Sequence, residues 1–426
     1  MTEKSRRSRM DYWHTANLIM IVFSVGLVNS LLGPFLMDMA EIYSSAMNEV
    51  AVMNSARAIG LFIGSCVGGF LYERINDQIL MIIMGAVYGV GTVLHPLLPD
   101  LTYFHVLGFI LGVAIGISHI GSQVRLVTLW AEDSAPAIQA IHASYGVGAT
   151  IGPFVGAPFL SLRENDIIVK ETRIYIPYAA SGFLFFLILI SMIAAYCVDP
   201  IGIKKAKESK KVRDDDSSRA FETVLMALLV LYLTTSVNIE STFSTLISVY
   251  AHGSPLLEFS KPDAAYLAGV FWTTFTGGRI VSIFVAAFFD VKKFLLVSHS
   301  LVLCASGILV LFGSSAACTW IGVALMGSGV SAMYGAAKAL VFKYFHLRHF
   351  HISMILTGAC LGIAVPAYFV PPVVERWPMF LPYYIGTCNI SHLIVLLLMF
   401  NAVRGKRTIH EANEKPKGIQ KEDALP

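Results

Sequence analysis

Long apolar segments follow one another along this chain with little between them, and that pattern leaves few folds open. A helix needs about 20 apolar residues to cross the hydrocarbon core of a bilayer. Segments of that kind are read near 15–37, 50–72, 79–97, 103–129, 136–160, 176–197, 221–249, 264–289, 293–313, 317–342, 350–371 and 380–402. In lipid every backbone polar group must find its partner inside the protein, so each segment is expected to be a helix. The sequence therefore predicts an all-α membrane protein with twelve transmembrane helices. The first segment is too long for a signal peptide and lacks a cleavage site, which makes it a mature span.

One long polar stretch interrupts the pattern near the middle, Ile203–Arg219, reading IKKAKESKKVRDDDSSR. A block so rich in Lys, Asp and Ser buries too little surface to order itself and reads as a solvated linker. Six segments precede it and six follow. The expected organisation is an N-terminal tail at 1–14, a six-helix bundle at 15–199, a basic linker at 200–220, a second six-helix bundle at 221–403 and a tail at 404–426. Charged residues make up only 14% of the chain, against roughly 25% in soluble proteins, and the mean hydropathy is +0.67. A net charge of +3 spread along the chain excludes the concentrated basic face that nucleic acid requires.

Of the 31 basic residues, Arg57, Arg125, Arg279 and Lys338 fall within spans. Arg163, Lys170, Arg173, Lys261 and Arg376 fall in loops on one side, and the remaining 22 fall on the other. The positive-inside rule then puts both termini and the linker in the cytoplasm. Cys66, Cys197, Cys304, Cys318, Cys360 and Cys388 have neither CxxC nor Cys/His spacing and read as small buried residues. The sequon at Asn389-Ile-Ser391 lies inside a span, beyond the reach of glycosylation. Phosphate loops, HExxH and nucleophile elbows are absent, so the sequence does not read as an enzyme and implies no cofactor.

The two halves show signs of a repeat. Gly60 to Glu73-Arg74 in the second segment matches Gly277 to Asp290 in the eighth, glycine and acid being thirteen apart in both. Duplicated six-helix halves related by an axis along the membrane normal mark one large class of transporters.

Gly69-Phe-Leu-Tyr-Glu73-Arg74 resembles the G-x-L-x-D/E-R signature that major facilitator superfamily transporters carry between spans two and three. Gly148 through Gly152-Pro153 to Gly156-Ala157 resembles that superfamily's Gly-Pro motif in span five. Asn29 within Gly26–Asp38, Leu129-Trp130, Gln139 through His142 and Tyr145 to Ala149, Glu240 to Ser244, and Val270 through Trp272 to Arg279 are similar to the sodium-dependent glucose transporter 1 family. The resemblance implies a transporter of the major facilitator fold that carries a hexose or related polyol, with sodium as a possible coupling ion. In span four this chain departs from the family, which tends to show an Asp and an Asn where Ser118 or His119 and Gln123 stand here, with Arg125 following. Lys338 also stands where a neutral residue is expected.

A charge within hydrocarbon is costly unless paired or facing water, so the intramembrane charges are functional candidates. Glu240 is the one carboxylate well inside a span, suited to a coupling cation or to sugar hydroxyls; the resemblance has a Glu at this place. Its bland alternative is a salt bridge to a span arginine. Arg57 either holds an anionic substrate or neutralises Glu240 or Asp38. Sugars are bound by planar groups that donate and accept together, with an aromatic face for the ring. Asn29, Asn54, Gln123, Gln139, His142, Tyr145 and Trp272 are the uncharged candidates for that task, against which stands inter-helix packing. Glu73, Arg74, Arg125, Arg279, Asp290 and Lys338 are gating candidates, with Glu73-Arg74 and Asp290 closing the cytoplasmic side. The sequence thus reads as a monomeric plasma-membrane carrier of a small solute, with a sugar preferred to small organic anions held by Arg57 and Arg279. A receptor or scaffold on a transporter fold is the reading from another class.

Overall fold

In the computed structural model, residues 8–131, 134–164, 167–200, 216–345, 349–406 and 408 are described. Most of the expected linker and of the C-terminal tail lies outside them. Six long helices make up the first half: α1 (Arg9–Tyr43), α2 (Met47–Tyr72), α3 (Asp77–Leu94), α4 (Leu101–Trp130), α5 (Ser134–Gly156) and α6 (Tyr175–Val198). The second half comprises α7 (Asp216–Gly253), α8 (Lys261–Phe288), α9 (Val291–Leu311), α10 (Ala316–Val330), α11 (Met333–Val341), α12 (His349–Phe369), α13 (Pro371–Arg376) and α14 (Phe380–Ala402). Among the described residues, ten helical stretches are long and apolar enough to cross a membrane; α5 and α8 are not among those ten.

Local chemistry sets where these helices start. Ser8 and Asp11 form a capping box at the head of α1, and Asn76, Asp100 and Asp290 cap α3, α4 and α9 through their side chains. Asp216 to Ala220 are helical, so the second half begins inside the expected linker. The tenth segment is not one helix but α10 and α11, interrupted at Ser331-Ala332. There the Ser331 hydroxyl donates to the Ser328 carbonyl at 2.7 Å, a local bond of the kind that competes with the helical ladder. The eleventh runs through α12 into the short α13, which starts at Pro371 because proline fits a first helical turn. A two-stranded antiparallel hairpin, β1 (Leu162–Glu164) and β2 (Ile167–Lys170), follows α5 where only a loop was expected.

Helix pairing repeats between the halves. In the first, α1 packs on α5, α2 on α4 and α3 on α6; in the second, α7 packs on α12, α8 on α10 and α9 on α14. Glycines permit the closest of these approaches. A Cβ on Gly112 of α4 would lie 2.9 Å from the carbonyl carbon of Arg57 in α2, closer than real side chains come. The glycines of the sequence repeat pack differently from one another here. Gly277 faces open space, whereas a Cβ on Gly278 would press on Ser331, so Gly278 makes the tight approach.

Large apolar side chains such as Phe183, Phe186 and Ile190 of α6 face outward, as a lipid solvent demands. The cysteines follow suit. All six are free, but only Cys360 is buried, while Cys66, Cys197 and Cys304 are exposed on apolar helix faces. Asn389 of the sequon is fully buried and exchanges hydrogen bonds with His299 of α9.

The polar contacts mark two ends. At the end carrying the chain termini, Arg125 meets Asp77 at 3.0 Å and His14 meets Asp199 at 3.6 Å. At the far end, Lys261 on α8 donates to Asp38 at 2.8 Å and to Glu41 at 2.7 Å, both on α1, and to the Ser161 hydroxyl at 2.7 Å. Glu375 of α13 caps the start of α2, accepting from the backbone N–H groups of Met47 and Asn48. Between described residues, the hydrogen bonds and ion pairs joining the two halves lie between mid-depth and this far end, including Asn54 to Thr245, Ser55 to the Ala364 carbonyl, and Thr150 to Thr276.

Candidate functional site

A cavity of about 310 Å³ lies between the halves at mid-depth. The first half lines it with Asn29 from α1, Arg57 from α2, Gly85 and Tyr88 from α3, Ser118 and His119 from α4, and His142 and Tyr145 from α5. The second half contributes Glu240, Ser241, Ser244 and Thr245 from α7 and Trp272 from α8. His119 and His142 line the cavity yet are exposed, with ring centroids 6.2 Å apart, so the cavity reaches the surface on the side of the termini. The Lys261 cluster and the packing of α1 on α7 shut it from the far end.

Asn29 is the hub of the polar wall. Its side-chain oxygen accepts from Arg57 Nη1 at 2.6 Å and from the Tyr88 hydroxyl at 3.0 Å. Arg57 Nη2 donates to Asn54 Oδ1 at 2.8 Å. Neither Glu240 nor Asp38 pairs with Arg57, which corrects one of its two expected roles: Asp38 is held by Lys261 and Ser161, and Glu240 by Arg279. The lining also holds an aromatic pair: Tyr145 and Trp272 meet edge to face at 6.2 Å, and Trp272 rests on Phe271 and Phe275.

Glu240 Oε2 lies 3.6 Å from Arg279 Nη2, the salt bridge weighed from the sequence. The Arg279 guanidinium also stacks over the Phe275 ring at 4.2 Å and donates to the Ser331 carbonyl, at the break between α10 and α11. Glu240 still lines the cavity, with its side chain one-fifth exposed.

Asn29, Arg57, His142, Tyr145, Glu240 and Trp272 are thus brought together around one space. Gln123 and Gln139 are not. Gln123 approaches the His119 ring at 3.3 Å from one turn nearer the termini, and Gln139 is exposed one turn before His142. Tyr88, Ser118, Ser241, Ser244 and Thr245 were missed, since a hydroxyl within an apolar helix gives no periodic signal.

Of the gating candidates, Arg125 is locked to Asp77 within the first half. Lys338 lies over the Tyr334 ring at 4.4 Å. Arg74 covers the Phe70 ring at 3.5 Å, Glu73 ends α2, and Asp290 caps α9. In this conformation these turn residues pack and cap within their own halves, and the far-end cluster around Lys261, unrecognised from sequence, is among the contacts that bridge the two.

The chain is similar to known carriers over most of its length. It is 25% identical over 402 residues to sodium-dependent glucose transporter 1A of Mus musculus, covering 88% of this chain and 92% of that protein. Among solved structures, a nucleoside transporter, NupG, superposes with a TM-score of 0.70 at 10% identity, covering 91% of this chain and 99% of that one. A D-xylose-proton symporter superposes with a TM-score of 0.68 at 12% identity, covering 91% and 97%. The family model of the Major Facilitator Superfamily matches residues 18–367. With the helical fold, the apolar exterior and the central cavity, this establishes the chain as an integral, multi-pass membrane transporter, not an enzyme, and a member of the Major Facilitator Superfamily.

Proposed function

We propose that the protein moves a small polyhydroxylated solute, a hexose or related polyol, across the membrane by alternating access. The cavity carries this reading. It lines one space with amide and hydroxyl groups and with the aromatic pair Tyr145 and Trp272, the two kinds of surface a sugar uses. The glucose transporter among its relatives and the xylose symporter among its structural neighbours support it. Twelve spans in two six-helix bundles, with both termini cytoplasmic in the plasma membrane, complete the arrangement, α5 and α8 packing on each other between the bundles. The bundles rock about the site, opening it to one side at a time.

Glu240 is the proposed site of a driving cation. Its carboxylate lies at the cavity wall, and in this conformation Arg279 occupies it. Uptake of radiolabelled glucose into proteoliposomes of the purified chain, with and without an inward sodium gradient, tests both parts. The expected result is sodium-stimulated uptake in the wild type, with the stimulation lost in Glu240→Gln. Undiminished, sodium-independent uptake in that variant rejects the coupling role and leaves a facilitator. Absence of glucose uptake by folded protein rejects the hexose reading for glucose.

A further inference from the structure

Four ionised side chains sit at or beside the cavity, and they do not balance. Glu240 is matched by Arg279, which is further held by an aromatic ring and a backbone carbonyl. That removes Arg279 as a free counter-charge for a solute. Lys338 is shielded by Tyr334 and lies within electrostatic reach of His119 and His142. Arg57 is different. It lines the cavity directly, its contacts are the neutral oxygens of Asn29 and Asn54, and among the described residues no carboxylate lies in ion-pair range of it.

Such a charge at membrane depth is costly unless something neutralises it or water reaches it. Two amide oxygens orient the guanidinium without cancelling its charge, and two of its five N–H donors are used in doing so. The donors that remain match a carboxylate, which guanidinium binds in a planar, two-point fashion. Asn29 ties this cation to the sugar-binding wall, because the same oxygen that holds Arg57 accepts from Tyr88. A ligand reaching Arg57 therefore also reaches the hydroxyl-binding groups and the aromatic pair Tyr145 and Trp272, which line the same cavity.

We infer that the solute is a sugar acid: a polyhydroxylated ring or chain bearing one carboxylate, with the carboxylate on Arg57 and the ring against Tyr145 and Trp272. This deepens the transport reading above and rests on it for the polyhydroxylated part. Lys338, near the open mouth, adds attraction for an anion entering from the side of the termini.

The test is uptake into proteoliposomes of full-length protein with three probes: D-glucuronate, D-glucose and L-lactate. Each is measured in the wild type, in Arg57→Gln and in Arg57→Lys, with size-exclusion profiles confirming that each variant is folded. The expected result is glucuronate uptake about tenfold or more above glucose, the worth of a charge-assisted, two-point contact. The ratio collapses towards one in Arg57→Gln and recovers in part in Arg57→Lys, which keeps the charge but not the fork. Glucose carried as well as or better than glucuronate, or a ratio unchanged in Arg57→Gln, overturns the inference and leaves the sugar reading standing. Arg57-dependent lactate uptake without glucuronate or glucose uptake supports the anion site and overturns the sugar reading. Silence with all three probes overturns both.

Discussion

Gly112→Ala is expected to reduce the yield of monodisperse protein sharply and to lower its thermal stability by about 3 kcal/mol, at the upper end of the cost of overpacking a filled core. The added methyl group has nowhere to go. It would meet the Arg57 carbonyl and the Leu61 amide of the facing helix, and backbone does not yield as a side-chain tip can. The shift also moves the segment that carries Arg57, so any protein that folds is expected to transport poorly. Gly277→Ala supplies the comparison. Its Cβ would point into open space, and alanine is the better helix former by roughly 1 kcal/mol, so that variant is expected to match or exceed the wild type. Thermal unfolding of the two variants in detergent decides the matter; equal losses in both would show that close approach is not what Gly112 provides.

The far-end cluster gives the second large effect. Asp38 is fully buried, and Lys261 is only 7% exposed. Removing one member of a buried ion pair leaves the other charge uncompensated, at a cost of about 3–5 kcal/mol. Lys261→Met is therefore expected to destabilise the conformation closed at the far end by that order. A cysteine placed at Thr245 should become reactive to a bulky, impermeant thiol reagent added from the far side. Asp38→Asn in the same background should restore much of the closure, because it removes the stranded charge. Labelling in Lys261→Met no faster than in the wild type would show that helix packing, not the charge cluster, holds that end shut.

Ten of the expected spans and their approximate edges were legible because hydrocarbon imposes a length and a polarity that few residues can violate. The cavity was legible in part, for the same reason. Arg57 and Glu240 stand out as charges inside apolar segments, and Asn29, Tyr145 and Trp272 as large polar or aromatic groups at middle depth. Depth along the helix is what separates Gln123 and Gln139 from the cavity lining. Gln139 and His142 are three residues apart in α5, but one turn separates them along the axis, and only His142 lines the cavity. The far-end cluster was not legible. Lys261 reads as an ordinary loop cation and Asp38 as a partner for Arg57, and only packing of α8 beside α1 joins residues more than two hundred positions apart. The break within the tenth segment was equally hidden, since serine and glycine are common in tightly packed membrane helices.

One continuous helix, α8, carries three of these features in succession: Lys261 at its first residue, Trp272 in the cavity wall and Arg279 against Glu240. At 1.5 Å of rise per residue they lie at roughly 0, 16 and 27 Å along a single rod. A rod pinned at one end by salt bridges works as a lever. Freeing Lys261 is therefore expected to move the indole and the guanidinium together, so that opening at the rim and remodelling of the binding surface become one mechanical event.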